Sequence, residues 1–127
     1  MDNLYSDILL DLYKHPLNKQ TLTDADLQYK LNNPVCGDQV ELFIKFDENG
    51  TVKAVGWEGN GCTISQVGAS LLTDHLKGKT KAELKQISAD DVIEMIGLTL
   101  NATRLRCYLL SLTALQKALT KVSSRAE

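Results

Sequence analysis

Residues 39–57 decide the fold of this chain; they read QVELFIKFDENGTVKAVGW. In the first half, apolar and polar residues alternate as in a strand with one buried face, namely Val40, Leu42, Ile44 and Phe46 against Glu41 and Lys45. The tetrapeptide Asp47-Glu48-Asn49-Gly50 predicts a turn, and residues 51–57 predict a second strand. This stretch therefore predicts an antiparallel β-hairpin.

Further elements are predicted before the hairpin. The apolar residues between positions 3 and 14 recur at helical spacing and stop at His15-Pro16, which predicts an amphipathic helix. Residues 18–26 predict a loop, and residues 27–31 predict a third, weaker strand.

The pattern changes to helical period from Ile64 onward, with breaks at Gly78 and at Ile87-Ser88. Ser88 is expected to cap a helix over residues 89–96, and a last helix is expected over residues 103–121. Strands followed by helices indicate an α+β domain, in which helices cover one face of a small antiparallel sheet.

The composition is typical of one globular domain over residues 1–127, with 43% hydrophobic and 24% charged residues. The charges are interspersed and sum to −2, which disfavours a nucleic-acid partner. No apolar run is long enough for a membrane span or a signal peptide, so we expect a cytoplasmic protein without a membrane partner. Its three cysteines include no C-x-x-C pair and are expected to be reduced.

Each cysteine lies at a boundary of the predicted layout. Cys36 lies in a Pro/Gly turn before the first hairpin strand, which places its thiol beside Asp38. Cys62 precedes a predicted helix, whose dipole favours a thiolate. Cys107 is rotated by about 200° from the leucine stripe of the last helix, so we expect it outside the main apolar face. That stripe consists of Leu105, Leu109, Leu112, Leu115 and Leu119.

These thiols admit two interpretations. Free cysteine is among the most often buried residues, so each could be a small core side chain. Together, however, the three thiols and the Asp38 carboxylate are donors that zinc and iron–sulfur clusters accept. Asp38 could instead serve only as a turn residue that binds nearby backbone. His15 and His75 are interpreted as helix-end residues rather than metal ligands.

The segments around the cysteines resemble a known family. They are Asn33-Pro34-Val35-Cys36-Gly37-Asp38, Gly59-Asn60-Gly61-Cys62-Thr63-Ile64-Ser65 and Arg104-Leu105-Arg106-Cys107. They are similar to the three cysteine motifs of the U-type iron–sulfur cluster assembly scaffolds, which comprise IscU, SufU and the N-terminal domain of NifU. The resemblance covers nearly the whole chain. It implies the SufE/NifU-like α+β fold, with a three-stranded antiparallel sheet packed on helices. It also implies a site of Cys36, Asp38, Cys62 and Cys107 that holds zinc or a [2Fe–2S] cluster.

Within this family the chain most resembles a short SufU-like form. Arg106 stands where IscU has a histidine, and residues 101–105 replace the Leu-Pro-Pro-Val-Lys segment that the IscU chaperone grips. Binding of that chaperone is therefore not expected. Residues 110–115 are similar to SufU, although the insertion typical of SufU between its second and third cysteines is missing. Beside an anionic metal site, the Arg106 guanidinium would offset negative charge.

The resemblance implies a function in iron–sulfur cluster assembly. Persulfide sulfur would come from a cysteine desulfurase and be relayed, or built into a [2Fe–2S] cluster, for apo iron–sulfur acceptor proteins. Whether the chain is a scaffold or a zinc-dependent sulfurtransferase stays open here. Cys36 is the expected catalytic sulfur acceptor because its Pro34/Gly37 loop can swing outward, with Cys107 as the second choice. The alternatives are a structural zinc-binding interaction module and a thiol redox protein, the latter weakened by the missing C-x-x-C pair.

Overall fold

The computed structural model describes residues 2–33, 37–97 and 99–125, and in these ranges it contains a three-stranded sheet and six helices. The elements are α1 (Asp2–Lys14), β1 (Leu27–Asn32), β2 (Gln39–Phe46), β3 (Val52–Asn60), α2 (Thr63–Leu76), α3 (Lys81–Lys85), α4 (Ala89–Ile96), α5 (Ala102–Tyr108) and α6 (Leu110–Arg125). The predicted α+β fold with its small antiparallel sheet is confirmed.

The sheet has β2 at its centre, paired antiparallel to β1 on one side and to β3 on the other. The turn of the β2–β3 hairpin forms as predicted. The Asp47 carboxylate accepts the backbone N–H of Thr51 at 3.0 Å, and Gly50 takes a φ of +81°. From this turn the ladder runs to its last rung, where Gln39 pairs with Asn60. The hairpin register thereby brings the start of β2 beside the end of β3.

Helices cover one face of the sheet. Helix α2 packs on β3 and α6 packs on β1 and β2, while α1, α4 and α5 pack against α2. The core between the two layers includes Leu42, Ile44, Val55, Trp57, Val67, Leu72, Val92, Tyr108 and Leu115. Among the described residues, no helix combines the length and the apolar character that crossing a bilayer needs.

Local capping fixes the two short helices between α2 and α5. Ser88 caps α4 as predicted: its hydroxyl accepts the Asp91 N–H at 3.1 Å, and the Asp91 carboxylate accepts the Ser88 N–H at 2.9 Å. These hydrogen bonds lower the pKa of Asp91. Thr80 and Glu83 form the same reciprocal pair at the start of α3. Helix α3 lies between the two predicted breaks.

Two predictions about the last helix were wrong. A single helix was expected over residues 103–121, but α5 and α6 meet at Leu109, which takes φ −88° and ψ 4°. Cys107 was expected outside the main apolar face, but it is only 4% exposed and belongs to the core with Tyr108. Leu105, by contrast, is only half-buried. The expectation assumed a uniform helical period, which the interruption at Leu109 does not preserve.

Candidate metal centre

The end of the β2–β3 ladder positions Asp38. Because Gln39 pairs with Asn60 in the last rung, Asp38 lies beside the chain that leaves β3 toward α2. Side chains alternate along a strand, so Asp38 points to the same face as Val40, toward the helices. Its carbonyl accepts the Asn33 N–H at 2.7 Å, and Asp38 as a whole is 4% exposed. The fold therefore buries this carboxylate at one end of the sheet.

The start of α2 positions Cys62, which is the N-cap residue of that helix. Its carbonyl accepts the Ser65 hydroxyl at 3.0 Å and the Gln66 N–H at 3.3 Å. Its own N–H donates to Oδ1 of Asp38 at 3.2 Å, and its thiol donates to Oδ2 at 3.4 Å. Cys62 is exposed to solvent, so one thiol of the site is accessible.

Packing of α5 on α2 positions Cys107, which is buried. The neighbouring Tyr108 fixes α5 at two points. Its hydroxyl donates to the carbonyl of Val92 in α4, and its own carbonyl lies against Gly68 of α2. A Cβ atom on Gly68 would lie 2.3 Å from that carbonyl oxygen, so a glycine is needed for this approach. Burial raises the pKa of Tyr108 to about 12, which keeps the hydroxyl protonated as a donor.

The three positions converge. One carboxylate oxygen of Asp38 and the Sγ atoms of Cys62 and Cys107 all lie within 4.8 Å of one another. In the described ranges of the chain, no other three His, Cys, Asp or Glu side chains come this close together.

This donor set fits a metal ion. Tetrahedral zinc with bonds of about 2.0–2.3 Å places its donors roughly 3.3–3.8 Å apart. The 3.4 Å between the Cys62 sulfur and the Asp38 oxygen already falls in that range. Two thiolates and a carboxylate suit zinc, and thiolates also suit the iron of a cluster. A tetrahedral ion would need one further donor.

Cys36, which was predicted as a ligand and as the sulfur acceptor, lies outside the described residues. Its two roles stay predictions. Arg106 is exposed on α5, directly before Cys107 in the chain, and its effect on the charge of the site also stays a prediction. His15 follows α1 and His75 lies in the last turn of α2, as expected of helix-end residues.

The role of Gly68 and the way in which Tyr108 anchors α5 were not predicted from the sequence. A glycine in the middle of an apolar helix is a signal of close packing, because it weakens the helix unless another element needs the space. That signal was present at Gly68. It could not identify the partner, since the Tyr108 carbonyl comes from a helix distant in the sequence.

Comparison with known proteins gives a consistent set of relatives. Residues 4–127 match the family model of the NifU-like N-terminal domain. The zinc-dependent sulfurtransferase SufU of Bacillus subtilis is 33% identical to this chain, over 95% of the chain and 92% of that protein. The iron–sulfur cluster assembly scaffold protein IscU of Streptococcus pyogenes is 31% identical, over 95% and 86%. The crystal structure of a SufU from Fervidobacterium islandicum superimposes with a TM-score of 0.75 at 26% identity, covering 91% of this chain and 96% of that one.

Proposed function

We propose a function from the premise that this chain belongs to the family of NifU-like N-terminal domains, as the match over residues 4–127 shows. The resemblance to the U-type scaffolds is thereby confirmed. Acting as one domain over residues 1–127, the protein accepts persulfide sulfur from a cysteine desulfurase. It passes this sulfur on, either directly or as part of a [2Fe–2S] cluster, to apo iron–sulfur acceptor proteins.

One observation carries the proposal: the donor atoms of Asp38, Cys62 and Cys107 lie within 4.8 Å of one another although the residues come from three separate segments of the chain. Buried cysteines that only fill a core have no need of a buried carboxylate between them. A closed structural zinc site, conversely, has no need of an exposed ligand, and Cys62 is exposed. The combination supports a site that holds a metal and also reacts with partners.

The protein's own residues then have distinct roles. Cys36 completes the donor set with Asp38, Cys62 and Cys107, and the ion they hold is zinc in the resting protein. Zinc, when bound, keeps its thiolate ligands deprotonated. Three thiolates and a carboxylate around a divalent ion leave a negative charge, and the Arg106 guanidinium next to Cys107 offsets part of it.

Cys36 is the sulfur acceptor. Its thiolate attacks the terminal sulfur of the desulfurase persulfide, so that an S–S bond forms on Cys36 while the S–S bond of the donor breaks. The desulfurase cysteine leaves as a thiolate with the electron pair, and no external oxidant is needed. Coordination to the metal makes a thiolate less nucleophilic. A partner that displaces the Cys36 thiolate from the metal therefore activates it.

The same chemistry suggests where and with whom the protein works. Reduced thiols are required, which favours a reducing compartment such as the cytoplasm. Arg106 and residues 101–105 occupy the places of the IscU histidine and chaperone segment, so delivery to acceptor proteins proceeds without the IscU-type chaperone.

The test is a metal and sulfur assay on the whole chain. Protein purified anaerobically is analysed for zinc, iron and acid-labile sulfide, then incubated with a cysteine desulfurase and cysteine. Peptide masses without reductant are expected to show one added sulfur on the Cys36 peptide of the wild type and none in Cys36→Ser. Lys53→Ala, on the exposed side of β3, serves as a control that should behave as wild type.

Three outcomes would contradict the proposal in different ways. Added sulfur on Cys62 or Cys107 but never on Cys36 would reassign the acceptor. Close to one zinc per chain without any sulfur transfer would favour the structural zinc module instead. Protein without zinc or iron, whose melting a chelator leaves unchanged, would remove the metal site itself.

A further inference from the structure

Gly61 occupies the position directly opposite Asp38. The last rung of the β2–β3 ladder pairs Gln39 with Asn60, and the next residues outward on the two strands are Asp38 and Gly61. Gly61 is not among the glycines with a positive φ, so its backbone conformation is open to any residue. A need for space therefore explains a glycine here better than a need for special backbone angles.

The space that Gly61 leaves is filled by the Asp38 carboxylate. A Cβ atom on Gly61 would lie 2.8 Å from Cγ and 2.9 Å from Oδ1 of Asp38, and 2.4 Å from the Ser65 hydroxyl oxygen. Carbon atoms in van der Waals contact are about 3.5–4.0 Å apart, so something must move. The Ser65 hydroxyl can rotate away from its hydrogen bond to the Cys62 carbonyl. The Asp38 carboxylate can yield only by leaving its contacts with the N–H and thiol of Cys62.

We infer that Gly61 is a positioning residue for the metal site: the absence of a side chain there seats the Asp38 carboxylate within ligand distance of Cys62. In Gly61→Ala the new methyl group displaces the carboxylate, and the thiolates lose their oxygen partner while their own positions are kept. This inference rests on the proposed role of Asp38 as a ligand. It acts entirely through Asp38, which makes it testable by a double-mutant cycle.

The cycle consists of wild type, Gly61→Ala, Asp38→Ala and the double variant. Zinc affinity is measured by competition with a chromophoric chelator, and the visible absorption of the cobalt(II) form reports the donor set. When Asp38 is present, Gly61→Ala should weaken zinc binding roughly tenfold to a hundredfold, as the loss of a contact that orients a metal ligand does. It should have no further effect once Asp38 is alanine. The cobalt spectrum of Gly61→Ala should resemble that of Asp38→Ala.

Gly56→Ala is the matched control. Its Cβ atom would lie 2.3 Å from the Gln20 carbonyl oxygen, a steric insertion as severe as that at Gly61 but at a position that contacts none of the three converging ligands. It should lower the melting temperature and leave both the zinc affinity and the cobalt spectrum as in wild type.

Each outcome decides the inference. Equal losses of zinc affinity from Gly61→Ala in both backgrounds would overturn it, because the effect would then come from Ser65 or the helix start. No loss would overturn it as well. If Gly61→Ala fails to fold, the double variant should fold again, because the clash with Asp38 is gone and the Ser65 hydroxyl can rotate away. Failure of the double variant to fold is also a refutation. The melting temperatures of the four metal-free proteins test the seating of Asp38 by Gly61 separately from zinc binding. If Gly61→Ala lowers the melting temperature less in the Asp38→Ala background than in wild type, Gly61 seats Asp38. The same result together with a wild type that binds no zinc would support this seating and contradict the proposed function.

Discussion

The Asp38 carboxylate contacts Cys62 through both of its oxygens, accepting the backbone N–H at 3.2 Å and the thiol at 3.4 Å. Cys62 is the N-cap residue of α2. In a capping box, the N–H of the N-cap residue donates to the side chain of a glutamate three residues further along the chain. Here the third helical residue is Ser65, whose hydroxyl binds the Cys62 carbonyl instead. Asp38, directly before β2, thus provides the acceptor for the Cys62 N–H that the first turn of α2 does not provide. The same carboxylate belongs to the candidate metal centre.

Asp38→Asn should separate these two roles. The amide oxygen can still accept the Cys62 N–H, so unfolding of the metal-free protein in urea should be close to wild type. Loss of the anionic donor should weaken zinc binding at least tenfold. Asp38→Ala removes the hydrogen bond as well and should cost about 1 kcal/mol of unfolding free energy in addition. Equal stability of the alanine and asparagine variants would contradict the capping role.

Release of a bound cluster is expected to depend on Asp38. A carboxylate is a harder ligand than a thiolate and should be the first to leave a cluster iron. A [2Fe–2S] cluster reconstituted anaerobically on Asp38→Ala should therefore persist longer than on wild type and reach an apo acceptor more slowly. Cluster absorbance is followed with and without acceptor. Faster loss from the variant, together with a lowered melting temperature, would leave Asp38 with its structural role alone.

The two described cysteines should differ in reactivity. Cys62 is exposed, whereas Cys107 is 4% exposed and is reached only through local opening of α5. In the metal-free protein, iodoacetamide should modify Cys62 at least roughly tenfold faster than Cys107, as measured by peptide mass over time. Denatured protein provides the control, because the two rates should then converge. Added zinc should slow both reactions, and protection of neither would argue against coordination.

Gly68→Ala should disturb Cys107 from a distance. The new methyl group would overlap the Tyr108 carbonyl, and relief of that overlap moves α5 away from α2 at a cost of about 1–3 kcal/mol of unfolding free energy. Alkylation of Cys107 should accelerate in consequence. Gly78→Ala is a useful comparison, since its φ of +79° makes it destabilising too, although nothing lies within 4 Å of its Cβ position. If both variants expose Cys107 equally, general destabilisation explains the effect.

Alkaline pH should weaken the fold through Tyr108. Burial raises its pKa from 10.0 to about 12 in the folded protein, so above pH 10 the unfolded chain loses this proton first. The stabilisation is complete below pH 10 and is lost as the pH rises through about 12. Across this window the unfolding free energy of the wild type should therefore fall, relative to that of Tyr108→Phe, by on the order of 2 kcal/mol. Urea unfolding at closely spaced pH values measures it, and a constant difference would contradict the expected shift.

Local patterns were sufficient to predict the elements. The alternation from Val40 to Phe46, the turn at Asp47 to Gly50 and the Ser88 cap all depend on residues close together in the chain, and the structure has each of them. The last helix was predicted less well. Its interruption at Leu109 lies in an apolar, helix-favouring stretch, and no glycine or proline marks it. Nothing local to that stretch predicts the break.

By itself, the sequence determined which donor types this protein carries and the edges of the sheet and helices at which they lie. Cys62 precedes a predicted helix, and Asp38 lies in the turn directly before the first strand of the hairpin. Only the tertiary structure decided that Asp38 binds Cys62, that Cys107 is buried while Cys62 is exposed, and that Gly61 and Gly68 leave the space for these approaches. The physical reason is the distance along the chain between the residues that interact. Spacing and propensity act over a few residues, whereas these contacts join segments that only the packing of helices on the sheet brings together.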